Sequence, residues 1–485
     1  MSTLNEQNQN MTNYRWVICA MLFFATTVNY LDRQVLSLTW DEFIKPEFHW
    51  DESHYGTITS VFSIVYAIAM LFAGRFIDWM GTRKGFLWAI GVWSLGACLH
   101  ATCGILTEQY AGLHNAAELA QAVGDTAVVI ATISMYCFIV ARCVLAIGEA
   151  GNFPAAIKVT AEYFPKKDRA YATSIFNSGA SVGALVSPLT IPLLAKYYGW
   201  EMSFIIIGAL GFIWMFFWVF LYKKPENNPR VNKAELNYIL SDKGSGEEAV
   251  EETEKTSFLQ CFKYKQTWAF AFGKFMTDGV WWFFLFWTPS YLMTQFEIKT
   301  SEGLGIALIF TLYAIVTVLS IFGGKLPTIF IHRSGQNPYA ARMKAMLIFA
   351  FFPLVVLLAQ PLGMEFAYLG KNAAWIPVIL IAIGCAAHQS WSANIFSTVG
   401  DMFPKKAIAT ITGIGGMAGG LGSMFLQKGA GNFFVYAGDS NLQFLGFEGK
   451  PAGYFIVFCF CAVAYLIGWT VMKLLVPKYK PITDL

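Results

Sequence analysis

Charge is what this sequence lacks. Only 13% of its 485 residues are Asp, Glu, Lys or Arg, about half of the roughly 25% that a soluble protein carries, whereas 56% are hydrophobic. That deficit excludes an ordinary soluble enzyme and fits a chain that crosses a bilayer many times. The net charge of +3 is too small to argue for nucleic acid as a partner. The nine cysteines show no zinc-ligand or redox spacing and fall mostly in apolar runs, where they serve as small packing residues. A His/Asp metal cluster, a nucleophile–base pair and a soluble catalytic or signalling domain are all missing from the pattern. A membrane enzyme or receptor is therefore the least favoured class, and neither metal nor organic cofactor is expected. The first thirteen residues lack a basic n-region and a cleavage site, so the first apolar run is expected to remain as an anchor.

What is there, in place of charge, is apolar length. A bilayer core takes about 20 apolar residues per helix, and on that criterion twelve spans are expected. They run near 14–39, 56–79, 85–106, 127–157, 171–195 and 201–222, then 267–293, 304–331, 343–362, 374–399, 408–434 and 453–476. Lys and Arg gather on one side, at Arg15, Arg83, Lys84, Lys166, Lys167, Arg169, Lys223, Lys224, Arg342, Lys344, Lys405, Lys406, Lys478 and Lys480. The other side has scattered single charges such as Lys45, Lys196, Lys299 and Lys371. The positive-inside rule then predicts a multi-pass protein of the cell (inner) membrane with both termini cytoplasmic. The polar stretch 223–266, with Pro225, Pro229, a short helical pattern at Lys233–Leu240 capped by Asn232 and the acidic run Glu247–Glu254, reads as a cytoplasmic linker. The expected organisation is a tail 1–13, a six-helix half 14–222, the linker 223–266, a second six-helix half 267–476 and a tail 477–485.

The two halves are related. Glu-Tyr-Phe-Pro-Lys-Lys at Glu162–Lys167 recurs as Asp-Met-Phe-Pro-Lys-Lys at Asp401–Lys406, each after an even-numbered span. In that register Ala170 falls on Ala409 and Gly183 on Gly422. Parallel repeats of this kind mark transporters that rock two halves about a site at the membrane midplane. The same register sets Glu149 on His388, Asn152 on Trp391 and Arg142 on Ile381. The scaffold is repeated, and these charges are not.

Four charges interrupt the apolar runs of the first half: Asp32 and Arg33 in the first span, Arg142 and Glu149 in the fourth. An intramembrane charge costs at least ~2.5–3.5 kcal/mol, so such residues pair, face a wet cavity and mark the path of an ion or substrate. Arg142 and Glu149, seven apart, share a helix face, with Asn152 almost one turn further along it. Asp32 and Arg33 point to different neighbours, one arrangement being Arg33 to the cavity and Asp32 to a partner helix. Arg binds a carboxylate through its planar fork and stays protonated. A buried carboxyl whose distance to Arg changes can load and release a proton, which suits Asp32 or Glu149; a pre-formed ion pair that merely holds helices together is the structural alternative.

Further motifs carry a family resemblance. Gly74-Arg-Phe-Ile-Asp78-Trp-Met-Gly81-Thr-Arg83-Lys84, between spans two and three, resembles the loop signature of the major facilitator superfamily. The resemblance implies an all-α membrane fold of twelve transmembrane helices in two six-helix pseudo-symmetric halves, working by alternating access. It also implies a cytoplasmic gating latch at Gly74, Asp78, Gly81 and Arg83, degraded in its second-half counterpart around Gly324 and Arg333-Ser-Gly335. More narrowly, Asn29-Tyr-Leu-Asp32-Arg33-Gln34, Arg142 with Gly148-Glu149-Ala-Gly-Asn152-Phe-Pro154, Glu162-Tyr-Phe-Pro-Lys-Lys-Asp-Arg169, Trp281–Trp287 and His388-Gln389-Ser-Trp391-Ser-Ala-Asn394 resemble the anion:cation symporter family and its bacterial hexuronate transporters. That resemblance implies uptake of a sugar-acid anion with the proton as coupling ion, and a monomer in the lipid bilayer. It places Arg33, Arg142, Tyr30, Asn152, Trp282, Gln389 and Asn394 on the substrate, and Asp32, Glu149 and His388 on the proton. Leu145 stands where some relatives carry an extra carboxylate, which leaves Glu149 as the fourth span's proton carrier. His388 has three readings: titration, hydrogen bonding to sugar hydroxyls, or a structural role. Lys274 and Asp278 read as a local i,i+4 pair. A hexonate or another organic anion, and exchange or sodium coupling, stay open as alternatives.

Overall fold

The computed structural model describes residues 11–241, 258–323, 326–335 and 337–482; the acidic run Glu247–Glu254 and Gly324 lie outside them. Within those residues the chain is almost wholly helical, with one two-stranded hairpin, Gln443–Phe444 against Phe447–Glu448. The first half contains α1 (Tyr14–Thr39), α2 (Glu52–Met80), α3 (Thr82–His100, bent by 44° into Cys103–Ala111), α4 (Asp125–Glu149, resumed as Asn152–Tyr163), α5 (Lys166–Tyr198) and α6 (Trp200–Leu221). The second contains α7 (Lys265–Phe296), α8 (Gly303–Gly323), α9 (Pro338–Phe351, continued through Ala359–Glu365), α10 (Trp375–Met402), α11 (Lys405–Asp439) and α12 (Lys450–Leu475).

Eight of these are long and apolar enough to cross a bilayer outright, and bent α3 makes a ninth. The remaining three, α1, α7 and α11, are each at least 26 residues long. Length is not what they lack. Asp32 and Arg33 in α1, Lys274 and Asp278 in α7, and the glycines of α11 dilute their hydropathy. The helices that fail an apolarity test are thus among those that carry polar groups inward, which is the pattern of a path through a membrane.

Small residues let the helices close on one another. Gly183 of α5 lies against the carbonyl of Thr27 in α1, and Gly422 of α11 lies against that of Phe275 in α7; a Cβ at either glycine would collide with that oxygen. These matching approaches set α1 on α7 with Thr27 at Phe275. Combined with the sequence repeat, they superpose Arg33 on Trp281 and Tyr30 on Asp278.

The halves meet along α2–α11 and α5–α8, and the hydrogen bonds between them come from α1, α2 and the turn that joins these two. Gln34 Nε2 donates to the Tyr313 hydroxyl (2.7 Å) and Tyr55 to the Phe286 carbonyl (3.0 Å). Ser63 and Ser423 share a 2.9 Å hydrogen bond, Ser53 donates to Asn432 (2.6 Å), and Lys428 to Thr57 (2.6 Å). The Glu42 carboxylate accepts from Thr300 and from Ser301. All of these first-half residues lie in the stretch 34–63, away from the face that carries the linker. Further toward the linker face α2 still meets α11, where Gly420 lies against Ala67 and Gly413 against Leu71. The hydrogen bonds described between the halves are therefore concentrated at the far face.

The linker's first helix, Lys233–Ile239, begins at Asn232, whose side chain accepts from the Glu235 amide. Glu235 is fully buried and binds Arg15 Nη1 at 2.9 Å, the Arg15 amide at 3.1 Å and the Thr12 hydroxyl at 2.6 Å. That segment is fastened to the foot of α1.

Candidate functional site

The four charges of the first half come together between α1, α3 and α4. Arg33 donates from Nε (3.0 Å) and Nη2 (2.7 Å) to a single oxygen, Oε2, of Glu149. The Arg33 side chain is 6% exposed and that of Glu149 is fully buried. Four rings surround the guanidinium, those of Tyr30, Phe62, Tyr66 and Trp282, with centroids 4.8–5.9 Å from its carbon. A desolvated cation–π contact is worth about 2 kcal/mol, so the box holds Arg33 in place by its faces while Glu149 holds it by its edge. Trp282 comes from the second half, which makes Arg33 a point where both halves meet.

Arg142 is arranged otherwise. It is 1% exposed and lies over the Phe62 ring at 5.1 Å. Its Nη2 donates to the Arg33 carbonyl over a long 3.5 Å, and its Nε and Nη1 have no acceptor among the described residues. The shared helix face of Arg142 and Glu149 does not produce an ion pair between them, because α1 packs beside α4 and Arg33 reaches Glu149 first. Asp32 is also solitary. It is 1% exposed, points toward α3 with the Trp93 indole beside it, and neither carboxyl oxygen reaches a hydrogen-bond partner. Glu149 Oε1, Asn152 Oδ1 and Asn29 Nδ2 are buried without partners as well. A buried polar atom left unpaired costs about 1–3 kcal/mol, more if charged. Several in one place mark a site whose missing partner is a ligand, water or proton.

The opposite wall is built from α7 and α10. His388 stacks on Trp281 with centroids 5.4 Å apart and planes 5° from parallel, and its Nδ1 shares a 2.8 Å hydrogen bond with the Tyr465 hydroxyl of α12. Asn394 is buried and donates to the Ser390 carbonyl one turn back (2.8 Å), while Gln389 is half-buried. Trp282 packs on Phe62 and Tyr66, which α2 contributes. Lys274 and Asp278 form their i,i+4 ion pair at 2.6 Å, with Lys274 over Phe396. Phe62 and Tyr66 are the site residues that sequence reasoning missed. Two aromatics one turn apart on one face of α2 were the available signal, in a helix otherwise read as packing.

The latch residues lie apart from this cluster. Asp78 binds Lys158 at 2.7 Å, joining α2 to the second part of α4, and Arg83 donates to the Val219 carbonyl of α6 at 2.6 Å. Gly81 has φ 78°, a left-handed turn between α2 and α3 that favours glycine, and no other chain segment crowds Gly74.

Comparison with known proteins decides the family, since the Major Facilitator Superfamily model matches residues 22–426. The chain belongs to the Major Facilitator Superfamily. It is a membrane transporter of that fold and not an enzyme. The hexuronate transporter of Escherichia coli strain K12 is 27% identical over 462 residues, covering 95% of this chain and 94% of that one. The galacturonate transporter of Dickeya chrysanthemi is 26% identical over 319 residues, or 65% of this chain and 82% of that one. Among solved structures, a bacterial homolog of the human lysosomal transporter Spinster, inward-facing and occupied, shares the fold with a TM-score of 0.67 at 18% identity, covering 96% of this chain and 97% of that one.

Proposed function

We propose that the protein takes up a sugar acid together with a proton, by alternating access, and that the substrate is a hexuronate such as galacturonate or glucuronate. The lysine and arginine distribution supports an orientation with the linker face in the cytoplasm of a cell (inner) membrane. The working unit is a monomer, and the inter-half bonds gathered at the far face support an inward-facing state. The observation that carries the reading is the difference between two guanidiniums, Arg33 filled by Glu149 and Arg142 open.

The charges support a cycle. Arg33 and Glu149 cancel, leaving Arg142 and Asp32. With Asp32 ionised, these two balance each other electrostatically, although they make no contact. A proton on Asp32 removes that balance and leaves Arg142 as one uncompensated cation in a dry site. A single carboxylate then restores neutrality and satisfies Nε and Nη1 through the planar fork. Proton and monoanion favour each other, so neither is carried efficiently alone. Tyr30, Trp282, His388, Gln389 and Asn394 offer ring faces and neutral hydrogen-bonding groups to the rest of the sugar.

The test is uptake into liposomes that hold only this protein, across galacturonate, glucuronate, galactonate, glucarate and a neutral sugar. The expected result is hexuronate uptake that a protonophore abolishes in sodium-free buffer, and that Arg142→Met lowers at least 100-fold. Preference for the neutral sugar, or undiminished uptake by Arg142→Met, overturns the reading.

A further inference from the structure

A second ionic cluster lies at the far face, outside the central site. After α1 the chain runs through one π turn, Trp40–Ile44, and a short helix, Lys45–Phe48, before α2 begins at Glu52. Glu52 is 1% exposed, and its Oε1 takes two lysines at once, Lys45 at 2.9 Å and Lys450 at 2.7 Å. Lys45 also binds Asp41 at 3.2 Å. Lys450 opens α12, so Glu52–Lys450 is the one ion pair that joins the two halves among the described residues.

Beside this clasp is a cavity of about 670 Å³, lined from the first half by Asp41, Lys45, His49 and Glu52, and from the second by Thr294 and Lys450. Its volume falls within the roughly 300–1,000 Å³ of small-molecule sites. Two carboxylate oxygens there, Glu52 Oε2 and Asp41 Oδ2, are buried with no donor. The cluster therefore holds two kinds of group: ammonium donors already occupied by a carboxylate, and carboxylate acceptors that lack a donor. A polyhydroxy carboxylate supplies the complement of both. Its carboxylate is chemically equivalent to the Glu52 group on the lysines, and its hydroxyls are the donors that Oε2 and Oδ2 lack.

We propose that this far-face cavity is a first docking site for the sugar acid, in which the ligand carboxylate takes Lys450 and Lys45 from Glu52 and so undoes the clasp between the halves. The exchange replaces one carboxylate by another on the same two ammonium groups, and the released Glu52 carboxylate takes the ligand's hydroxyls in their place, so neither the lysines nor Glu52 are left bare. What changes is mechanical: a bond between the halves becomes a bond to a free molecule. Approach from solution is unobstructed by the central cluster, since the cavity lies on the other side of the Tyr55–Phe286 contact. The proposal rests on the sugar-acid reading for its ligand, and on the far face being the outer one.

Amide hydrogen exchange of the full chain in lipid nanodiscs tests it, in an Arg142→Met background that removes the central anion receptor. Galacturonate is expected to raise exchange at 52–57 and 428–432 at least threefold, while galactose leaves it unchanged. Adding Lys450→Met should remove the galacturonate response, and Glu52→Gln should show the raised exchange before any ligand is added. Arg142→Gln serves as a second background, and an unliganded exchange pattern like that of the unsubstituted protein establishes that each is folded. No rise with galacturonate in either background, or an equal rise with Lys450→Met, overturns the docking site while leaving the central reading intact. Absence of galacturonate uptake by the unsubstituted protein overturns the central reading and, with it, the ligand named here.

Discussion

The two halves share a backbone contact and differ in what occupies it. In the first half Arg33 of α1 grips Glu149 of α4; at the matching positions of the second half, Trp281 of α7 stacks on His388 of α10. The glycine contacts at Thr27 and Phe275 fix the α1–α7 register, and the repeated Phe-Pro-Lys-Lys motif fixes that of α4 and α10. One geometry thus supports an ion pair on one wall and a pair of flat rings on the other. Buried charges bind strongly but demand a partner at all times. Stacked rings are undemanding, so they can let go of a sugar without leaving an orphan. On the function proposed above, the division gives the anion and proton to one wall and the neutral part of the substrate to the other.

That contrast can be broken in graded steps. Asp32→Asn has the largest expected effect on function. Uphill accumulation in liposomes should disappear, at least 100-fold down, while exchange of labelled for unlabelled substrate continues, because the anion receptor is intact and only the proton acceptor is gone. Retained accumulation would move the proton to another group. Arg33→Met comes next, because breaking a buried pair costs about 3–5 kcal/mol. It should lower the thermal midpoint markedly, and the double change Arg33→Met with Glu149→Gln should recover most of that midpoint but no uptake. The ring wall should be milder. Trp281→Phe keeps a flat face and should raise the KM for galacturonate about tenfold, or about 1.4 kcal/mol, without moving the pH profile. A moved pH profile would give His388 a share in proton handling.

The smallest effect is expected outside the membrane, at Glu47 in the short helix after α1. Burial pushes its carboxyl from the ordinary glutamate value of 4.5 up to about 7, against the hydrogen bond from Trp200 and with Glu201 and Glu108 adding to the rise. The folded chain therefore keeps this proton over a range where the unfolded chain has lost it. Its stabilising contribution is largest near pH 4.5 and fades as pH rises toward 7. Glu47→Gln should remove that component, reducing the fall in thermal midpoint between these pH values by about 2 °C.

Much of the architecture was legible in the sequence because its signals are local. Apolar length gave the spans, glycine and the repeated hexapeptide gave the kinship of the halves, and the cost of Asp32, Arg33, Arg142 and Glu149 in apolar runs singled them out. The i,i+4 pairing of Lys274 with Asp278 was also readable, since both partners sit on one helix. Pairing between helices was not. Spacing put Arg142 and Glu149 on one face, but only the packing of α1 against α4 shows that Glu149 turns to Arg33. The same limit hid Phe62 and Tyr66, two aromatics in a helix where any aromatic passes for packing. It hid the clasp too, because Lys450 is far along the chain from Lys45 and Glu52, and each looks like a stray loop charge.

The buried grip of Glu235 on Arg15 gives α1 a second attachment. Arg15 and Asp32 lie on one continuous helix, seventeen residues apart, or about 25 Å at 1.5 Å per residue. A helix of that length transmits a push or a twist far better than a loop does. The linker is therefore not slack along its whole course. Its first helix is bolted to one end of a rod whose middle carries Asp32 and Arg33, so a load on the linker is felt at the buried charges.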